Sequence, residues 1–429
     1  MKTFKYPPKA SWDNLMKRPD QNSASIETSV IAILQDVKNN GDKAVRKYTR
    51  ALDGREIDSI KTEKTAIDNA VSKVNKELRA AIQKAAANIE AFHKAQLPET
   101  VKVNVQEGLL CEQRALPIEN IGIYIPGGTA PLFSSVLMMA IPAKIAGCPQ
   151  ISLVTPPGSE AGVDPAILYA ASISGVTDIY QIGGAQAIAA LAYGTETVPK
   201  VDKIMGPGNQ YVTKAKQLVN AEGTAIDMPA GPSELMVIAD NSAPPEFIAA
   251  DLLSQAEHGP DSQVFLVTTQ ASLPEKVNNS IETYLQKLPR QETARRALEN
   301  SKSIVLNSET ELMEFSNKYA PEHLILATKN STEMAVKITN AGSVFLGNYT
   351  PESLGDYASG TNHVLPTNGA AKAYSGINID TFMKKITFQR AIPEGLETIG
   401  KSVQTMAEAE QLDAHSLAVQ VRINKKRKQ

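Results

Sequence analysis

The stretch Ile121-Gly-Ile-Tyr-Ile125, followed directly by Pro126-Gly127-Gly128, decides the fold class of this chain. It is a short apolar run that ends in a turn, and residues 134–146 after it have the composition of a buried helix. A buried strand, a Gly/Pro turn and a helix, in this order, are typical of one unit of a parallel α/β sheet. The stretch therefore predicts an α/β protein.

The same unit recurs further along the chain. Apolar runs at 151–155, 178–182 and 203–205 also end in Gly/Pro turns, and a second strand–helix series extends from residue 234 to 327. Two series with the same order of strands, turns and helices predict two similar parallel-sheet lobes with a cleft between them. Helical periodicity predicts helices over 26–96 and over a tail from about 406 to 423.

Composition excludes several classes of protein. The 429 residues carry 44 Lys+Arg and 46 Asp+Glu, so we expect neither a nucleic-acid partner nor a membrane partner. Two cysteines, Cys111 and Cys148, are too few for a disulfide framework or a Cys-rich zinc module. A charged, Pro-interrupted N-terminus and the lack of a long apolar run predict a cytoplasmic protein.

Four of the five histidines lie after residue 250. Gln255 and His258, spaced i and i+3, would share one face of a helix end, while Asp356 and His363 lie in one Gly-rich loop. With His415 on the tail, these nitrogen and oxygen donors could bind zinc. Each of these residues also has a purely structural explanation. His258 would be a histidine favoured at a helix end, Asp356 would form an Asx turn, and His415 would lie on a surface helix.

The pair Glu322-His323 stands just before a predicted strand and could form an acid/base pair, provided that a turn brings both side chains to one side. A loop ion pair is an equally good reading of the spacing. We interpret Cys148 as a small buried side chain rather than a nucleophile, and His93 as a surface histidine. Gly206-Pro-Gly-Asn209 lacks a third glycine, so it is a weak signal for a dinucleotide.

Taken together, eight motifs between about residues 25 and 422 resemble the histidinol dehydrogenases, in the family's order. They are Tyr124-Ile-Pro-Gly-Gly128, Gly183-Gly-Ala-Gln186-Ala-Ile, Gly206-Pro-Gly-Asn209, Ala230-Gly-Pro-Ser233-Glu, Gln255-Ala-Glu-His258-Gly, Pro321-Glu322-His323-Leu, Gly355-Asp356-Tyr-Ala-Ser-Gly-Thr-Asn-His363-Val-Leu-Pro-Thr and Leu412-Asp-Ala-His415.

The resemblance implies a cytoplasmic homodimer that oxidises L-histidinol to L-histidine with two NAD+, using one Zn2+ per subunit. It also implies two incomplete Rossmann-like lobes with helical N-terminal and C-terminal extensions. We expect an N-terminal extension over 1–22, a first lobe with the catalytic and zinc motifs over 23–122 and 234–377, a second lobe with the NAD motifs over 123–233, and a helical tail over 378–429.

Carried over by motif, the resemblance implies a role for each residue of the site. Glu322 and His323 would be catalytic, with His323 as the proton acceptor and Glu322 as the activator of water. The zinc ligands would be Gln255, His258, Asp356 and His415, and the NAD contacts Tyr124, Gln186 and Asn209. Substrate contacts would be Ser233, His323, His363 and Glu410 together with the ligands, with Glu410 and His415 acting in trans.

Three other readings compete with this one. The first is a paralogous zinc/NAD dehydrogenase of another small amino- or polyhydroxy-alcohol. The second is a metal-dependent hydrolase in which Glu322 and His323 activate water, and the third is a non-catalytic zinc-binding dimer. Only the dehydrogenase readings predict the formation of NADH.

Overall fold

A computed structural model describes residues 1–19, 24–127, 130–158, 162–228 and 231–426 of the chain. Gly128 and Ala230 of the quoted motifs, and the expected boundary at residues 22 and 23, lie outside the described residues. The chain forms two compact units, one of Met1–Gln96 with Glu119–Thr381 and one of Leu97–Ile118 with Phe382–Gln429. The finer division into lobes stays a prediction.

A five-stranded parallel sheet in the first unit confirms the fold class predicted from the first strand series. Its strands are β4 (Asn120–Tyr124), β5 (Gln150–Val154), β6 (Asp178–Tyr180), β7 (Lys203–Met205) and β8 (Ala225–Ile226). The helices that connect them are α5 (Phe133–Ala146), α6 (Pro165–Ser174), α7 (Gly184–Tyr193) and α8 (Gln210–Ala221). The strand order is β6-β5-β4-β7-β8: from β4 the chain adds β5 and β6 on one side, then returns to add β7 and β8 on the other side. The carboxyl ends of β4 and β7 therefore flank a crevice suited to a ligand.

A second parallel sheet has six strands: β1 (Lys2–Lys5), β9 (Glu234–Ala239), β10 (Gln263–Thr268), β11 (Lys302–Val305), β12 (His323–Ala327) and β13 (Ser343–Leu346). Their order in the sheet is β1-β11-β10-β9-β12-β13. The helices that follow β9 to β13 are α9 (Pro245–Ala256), α10 (Leu273–Leu285), α11 (Gln291–Glu299), α12 (Glu309–Tyr319), α13 (Ser331–Ala335) and α14 (Glu352–Tyr357). Apolar clusters cover both faces, which explains why β9 and β10 are buried at every position.

The helices predicted over 26–96 are confirmed as α2 (Ala24–Leu52), α3 (Lys64–Lys73) and α4 (Lys76–Lys94). The short helix α1 (Trp12–Leu15), which precedes them, was not predicted. Gly41, with φ of 50°, interrupts α2. Val30, Leu34 and Val37 of α2 pack into the same apolar core as α7, so this region supports the first sheet.

His93 is fully buried, and the expectation of a surface histidine is wrong. Its Nδ1 lies 2.8 Å from the carbonyl oxygen of Ile89, and its Nε2 lies 3.4 Å from Nδ2 of Asn362. Lys-rich neighbours suggested an exposed helix, but α4 buries the stripe of Ile82, Ile89 and His93. Burial lowers the pKa of His93, so a neutral ring is favoured in the folded chain.

We expect His93→Gln to weaken the pH dependence of stability. As the pH falls below about 6.5, unfolded chains bind a proton at this imidazole that the folded chain resists, so the free energy of unfolding falls. In the variant, the free energy of unfolding should decrease less between neutral and acidic pH. At neutral pH it should be about 1–3 kcal/mol lower than in the wild type, because the hydrogen bonds of His93 are disturbed. Denaturant unfolding near pH 7.5 and near pH 5.5 measures both, and an unchanged difference between the two pH values would contradict a buried, neutral His93.

The second unit consists of a three-stranded antiparallel sheet and two helices. The sheet has the order β14-β3-β2, with β2 (Val101–Gln106), β3 (Leu109–Pro117) and β14 (Met383–Ala391), and the helices are α15 (Pro393–Ala409) and α16 (Asp413–Lys426). The two helices agree with the expected tail, whereas β14 is a strand that was not predicted within 378–429. No helix of the described chain is long and apolar enough to cross a membrane.

Candidate active site

Glu322 and His323 lie at the amino edge of the second sheet, where β12 begins. Ala320, which ends α12 in the left-handed conformation with φ of 55° and ψ of 68°, turns the chain just before them. Glu322 Oε2 accepts a hydrogen bond from the backbone N–H of Glu234 at 2.8 Å and lies 3.7 Å from His323 Nδ1. The turn that joint function requires is therefore present, and both side chains are buried.

Further carboxylates surround His323. Asp356 Oδ1 is 3.6 Å from Nε2, and Glu352 Oε1 is 3.8 Å from Nδ1. Burial disfavours a charged imidazole, but the charges of Glu352 and Glu322 and the contact with Asp356 outweigh it and raise the pKa of His323 well above its ordinary value. Nδ1 also lies 3.3 Å from the carbonyl oxygen of Glu234, an acceptor that favours a proton on this nitrogen.

The structure brings three of the four expected zinc ligands to this edge. Gln255 is buried in the last turn of α9. Asp356 lies on helix α14, which packs against α9, so its expected place in a loop is wrong. His258 is exposed two residues beyond the end of α9. Burial would raise the pKa of Asp356, but the contact with the His323 ring lowers it. The expected ligand set stays a prediction.

The donors at this edge fit a cation. His323, Glu352 and Asp356 each offer a ligand atom, and these atoms lie within 4.8 Å of one another. Asp251, one turn before Gln255, adds a carboxyl whose pKa burial raises to about 7. Several buried carboxylates beside one imidazole are costly without a further positive charge. Nitrogen and oxygen donors of this kind suit zinc.

His363 is held at the edge of the same site. Its Nδ1 lies 2.7 Å from the backbone oxygen of Asp356, so this nitrogen donates and Nε2 is left as the acceptor. Ser135 Oγ lies 3.0 Å from Nε2. Burial lowers the pKa of His363. Sequence reasoning missed Ser135, although it is one of only three polar residues in helix α5, with Ser134 and Lys144.

The half-buried Arg18 and the buried Glu234 form an ion pair beside Glu322 and His323. Arg18 donates from Nε to Glu234 Oε1 at 2.5 Å, from Nη2 to Oε2 at 3.0 Å and from Nη2 to the carbonyl oxygen of Tyr319 at 2.9 Å. Because Glu234 follows Ser233 directly, this pair fixes the start of β9 beside Glu322. Nothing in the local sequence around Arg18 indicates this role.

A cavity of about 920 Å³ lies at the crevice of the first sheet, and Tyr124 and Asn209 line it. The Tyr124 hydroxyl accepts from the backbone N–H of Gly184 at 3.2 Å, and burial raises the pKa of Tyr124 to about 12. Asn209 caps α8 by accepting from the N–H groups of Tyr211 and Val212 at 3.0 and 3.1 Å.

Gln186, the third expected NAD contact, is fully buried on α7. Its Nε2 donates to Asp53 Oδ2 at 3.4 Å, and Asp53 lines the cavity. Within the described chain, Gln186 Oε1 has no hydrogen-bond partner.

A buried ion pair holds the turn after β7. Gly206, with φ of 116°, approaches Tyr124 so closely that a Cβ would collide with the carbonyl oxygen of Tyr124. The backbone N–H of Gly206 donates to Asp227 Oδ2 at 2.8 Å, and Lys216 Nζ donates to the carbonyl oxygen of Gly206 at 2.8 Å and pairs with Asp227. The pair therefore fixes both polar groups of this glycine.

The two remaining site residues belong to the second unit. Glu410 follows α15 directly, and His415 lies in the first turn of α16. Both are exposed. Their contact with the substrate and the zinc site of another subunit stays a prediction.

Comparison with known proteins gives a consistent result along the whole chain. The family model described as histidinol dehydrogenase matches residues 16–423. The histidinol dehydrogenase of Bacteroides thetaiotaomicron is 55% identical over 99% of this chain and 99% of its own, and that of Haemophilus influenzae is 52% identical over 96% and 95%. The crystal structure of histidinol dehydrogenase from Elizabethkingia anophelis is 52% identical, with a TM-score of 0.97 over 100% of this chain and 99% of that one.

Proposed function

Because the chain belongs to the histidinol dehydrogenase family, we propose that it oxidises L-histidinol to L-histidine through histidinal, with NAD+ as the oxidant. This four-electron oxidation would complete histidine biosynthesis. The observation that carries the proposal is the buried contact between His323, Glu322 and Asp356 at the amino edge of the second sheet. In this contact, His323 would be the proton acceptor, Glu322 the carboxylate that activates water, and Asp356 the carboxylate that binds a metal.

In the first oxidation, His323 would take the proton of the substrate hydroxyl as hydride leaves for NAD+. Without a metal the surrounding carboxylates favour a protonated His323. A cation bound by Asp356 would offset their charge and favour the neutral ring, in which Nδ1 donates to the carbonyl oxygen of Glu234 and Nε2 would be the basic atom. The carboxylates around the ring would then stabilise the imidazolium that forms. Release of that proton returns His323 to the form needed for the second oxidation.

In the second oxidation, Glu322 would activate water for addition to the aldehyde. Its Oε2 is held by the backbone N–H of Glu234, which leaves Oε1 to accept a proton from water. Return of that proton to the former aldehyde oxygen gives the neutral hydrate. His323, close by in sequence and in space, would take the proton of one hydrate hydroxyl as the second hydride leaves. Two oxidations would thus use one base and one water activator.

Zinc would be bound by Gln255, His258 and Asp356, with His415 contributed by the tail of the second subunit of a homodimer. The excess of buried carboxylates supports a cation here, and the lack of a cysteine among the donors is compatible with zinc. When bound, the ion would supply a Lewis-acidic anchor for the imidazole and amine nitrogens of histidinol. Ser233, His363 and Glu410 would make further contacts with the substrate.

NAD+ would bind at the crevice of the first sheet, with Tyr124, Gln186 and Asn209 as contacts. The reversal of strand order at β4 and a cavity of about 920 Å³ support this site. The buried pair of Lys216 and Asp227 would keep the turn at Gly206 in place for the cofactor. Asn209 caps helix α8, which begins directly after this turn.

A biosynthetic role supports a cytoplasmic location, which we include in the proposal. The matches along the full chain do not favour the paralogous dehydrogenase of another alcohol. The proposal is tested by the absorbance of NADH with histidinol and NAD+, with and without a metal chelator. We expect NADH that is lost on chelation and restored by zinc, whereas the hydrolase and the non-catalytic dimer predict no NADH.

A further inference from the structure

Glu352 is a fully buried carboxylate that the proposed mechanism does not use. It is the first residue of α14 and lies four residues before Asp356, so the two side chains share one face of this helix. Asp356, Glu322 and Asp251 are all near enough for their negative charges to act on it. A carboxylate in such surroundings is costly, which calls for a specific role.

The contacts of Glu352 point to Gln255. Oε1 of Glu352 meets the side-chain amide of Gln255, a buried residue on the neighbouring helix α9. Oε2 of Glu352 has no hydrogen-bond partner in the described part of the chain. His323 Nδ1 is 3.8 Å from Oε1, beyond hydrogen-bond range. The amide of Gln255 is therefore the direct polar contact of this carboxylate.

With Glu352 ionised, as a bound cation would favour, hydrogen bonding determines which way the amide of Gln255 faces. With its nitrogen toward Glu352, the amide donates to Oε1, and its oxygen accepts at 3.2 Å from the backbone N–H of Glu234, which it shares with Glu322 Oε2. The opposite orientation would set oxygen against oxygen and N–H against N–H. An amide oxygen has two lone pairs, so one remains free after the bond from Glu234, whereas the amide nitrogen is a poor ligand for a metal.

We propose that Glu352 is a positioning residue that fixes the amide of Gln255 so that its carbonyl oxygen is the atom available to a metal ion. The inference rests on the zinc site of the proposed function. Partners of this kind, which hydrogen-bond to a ligand without binding the metal, typically change metal affinity about 10–100-fold. Glu352 would therefore act through Gln255 and would not itself bind the ion.

Two variants of similar shape separate the hydrogen bond from the charge. Glu352→Met removes both the acceptor and the charge, whereas Glu352→Gln removes the charge but keeps an amide oxygen that can accept from Gln255. Zinc affinity is measured by competition with a chromophoric chelator, on the full-length protein, after circular dichroism has shown that each variant is folded. We expect affinity to fall about 10–100-fold in E352M and no more than about threefold in E352Q.

Gln255→Glu in the E352M background supplies an independent readout. A carboxylate needs no orientation, because either oxygen can bind the metal, so E352M/Q255E should recover zinc affinity to within about fivefold of wild type. If E352M does not fold, Glu352→Leu replaces it as the variant without an acceptor.

The outcomes separate this inference from the proposal on which it rests. A wild-type protein that binds no zinc overturns the zinc site and the role of Glu352 together. A wild-type protein that binds zinc, with E352M equally tight, overturns the role of Glu352 alone. Equal losses in E352M and E352Q, without recovery in E352M/Q255E, would also overturn it, since Glu352 would then act by charge or as a direct ligand.

Discussion

Replacing His323 with asparagine should lower turnover by about 10²–10⁴-fold in both oxidations while zinc remains bound. Asparagine can still donate a hydrogen bond to the carbonyl oxygen of Glu234, the contact that Nδ1 makes in the structure. It cannot accept a proton near neutral pH, so both hydride transfers lose their base. The large effect follows because the same imidazole serves both steps.

The comparison with wild type needs three measurements on the H323N protein. NADH formation from histidinol and from histidinal, assayed separately, gives the two rates. Zinc content and the midpoint of thermal unfolding show whether the loss has another cause, since His323 also contacts Asp356. Reduction of NAD+ at the wild-type rate by the folded, zinc-loaded variant would rule out His323 as the base.

Glu322→Gln should slow the second oxidation by about 10²–10⁴-fold and the first by less than about tenfold. The amide oxygen of glutamine can still accept from the backbone N–H of Glu234, so the start of β9 should keep its position. Glutamine cannot take a proton from water, and hydration of the aldehyde would lose its base. Histidinal should then accumulate when histidinol is the substrate.

The assignment of Glu322 depends on the difference between the two steps. With histidinol and NAD+, the variant should form NADH in a first phase and stall near half of the wild-type yield. A trap for aldehydes would collect the histidinal. Equal losses in both oxidations, with no aldehyde trapped, would show that Glu322 does not act selectively in hydration.

The sequence allowed the two parallel sheets to be predicted, because alternation of apolar strands, Gly/Pro turns and helices is a local property. Strand β14 could not be predicted in this way. It carries charged and apolar residues without a buried face, and only pairing with β3 makes it a strand. His93 was misassigned for the same reason, since a buried stripe on a Lys-rich helix becomes visible only when the helix is packed.

The proximity of Glu322 and His323 was predictable, because the two residues are adjacent in the sequence. The supporting residues were not, because their partners are far away in the chain. Arg18 reaches Glu234, Ser135 reaches His363 and Glu352 meets Gln255 across separate elements. In the second sheet the cluster also lies at the amino edge, opposite to the edge at which ligands of α/β sheets usually bind.

The most direct test of the account is the amount of NADH formed from a limiting amount of histidinol with NAD+ in excess. The account predicts two NADH for each histidinol consumed, histidine as the sole product, and no NADH once a chelator has removed the metal. One NADH for each histidinol with the aldehyde as end product would contradict it, as would an absence of NADH from the folded, zinc-loaded protein.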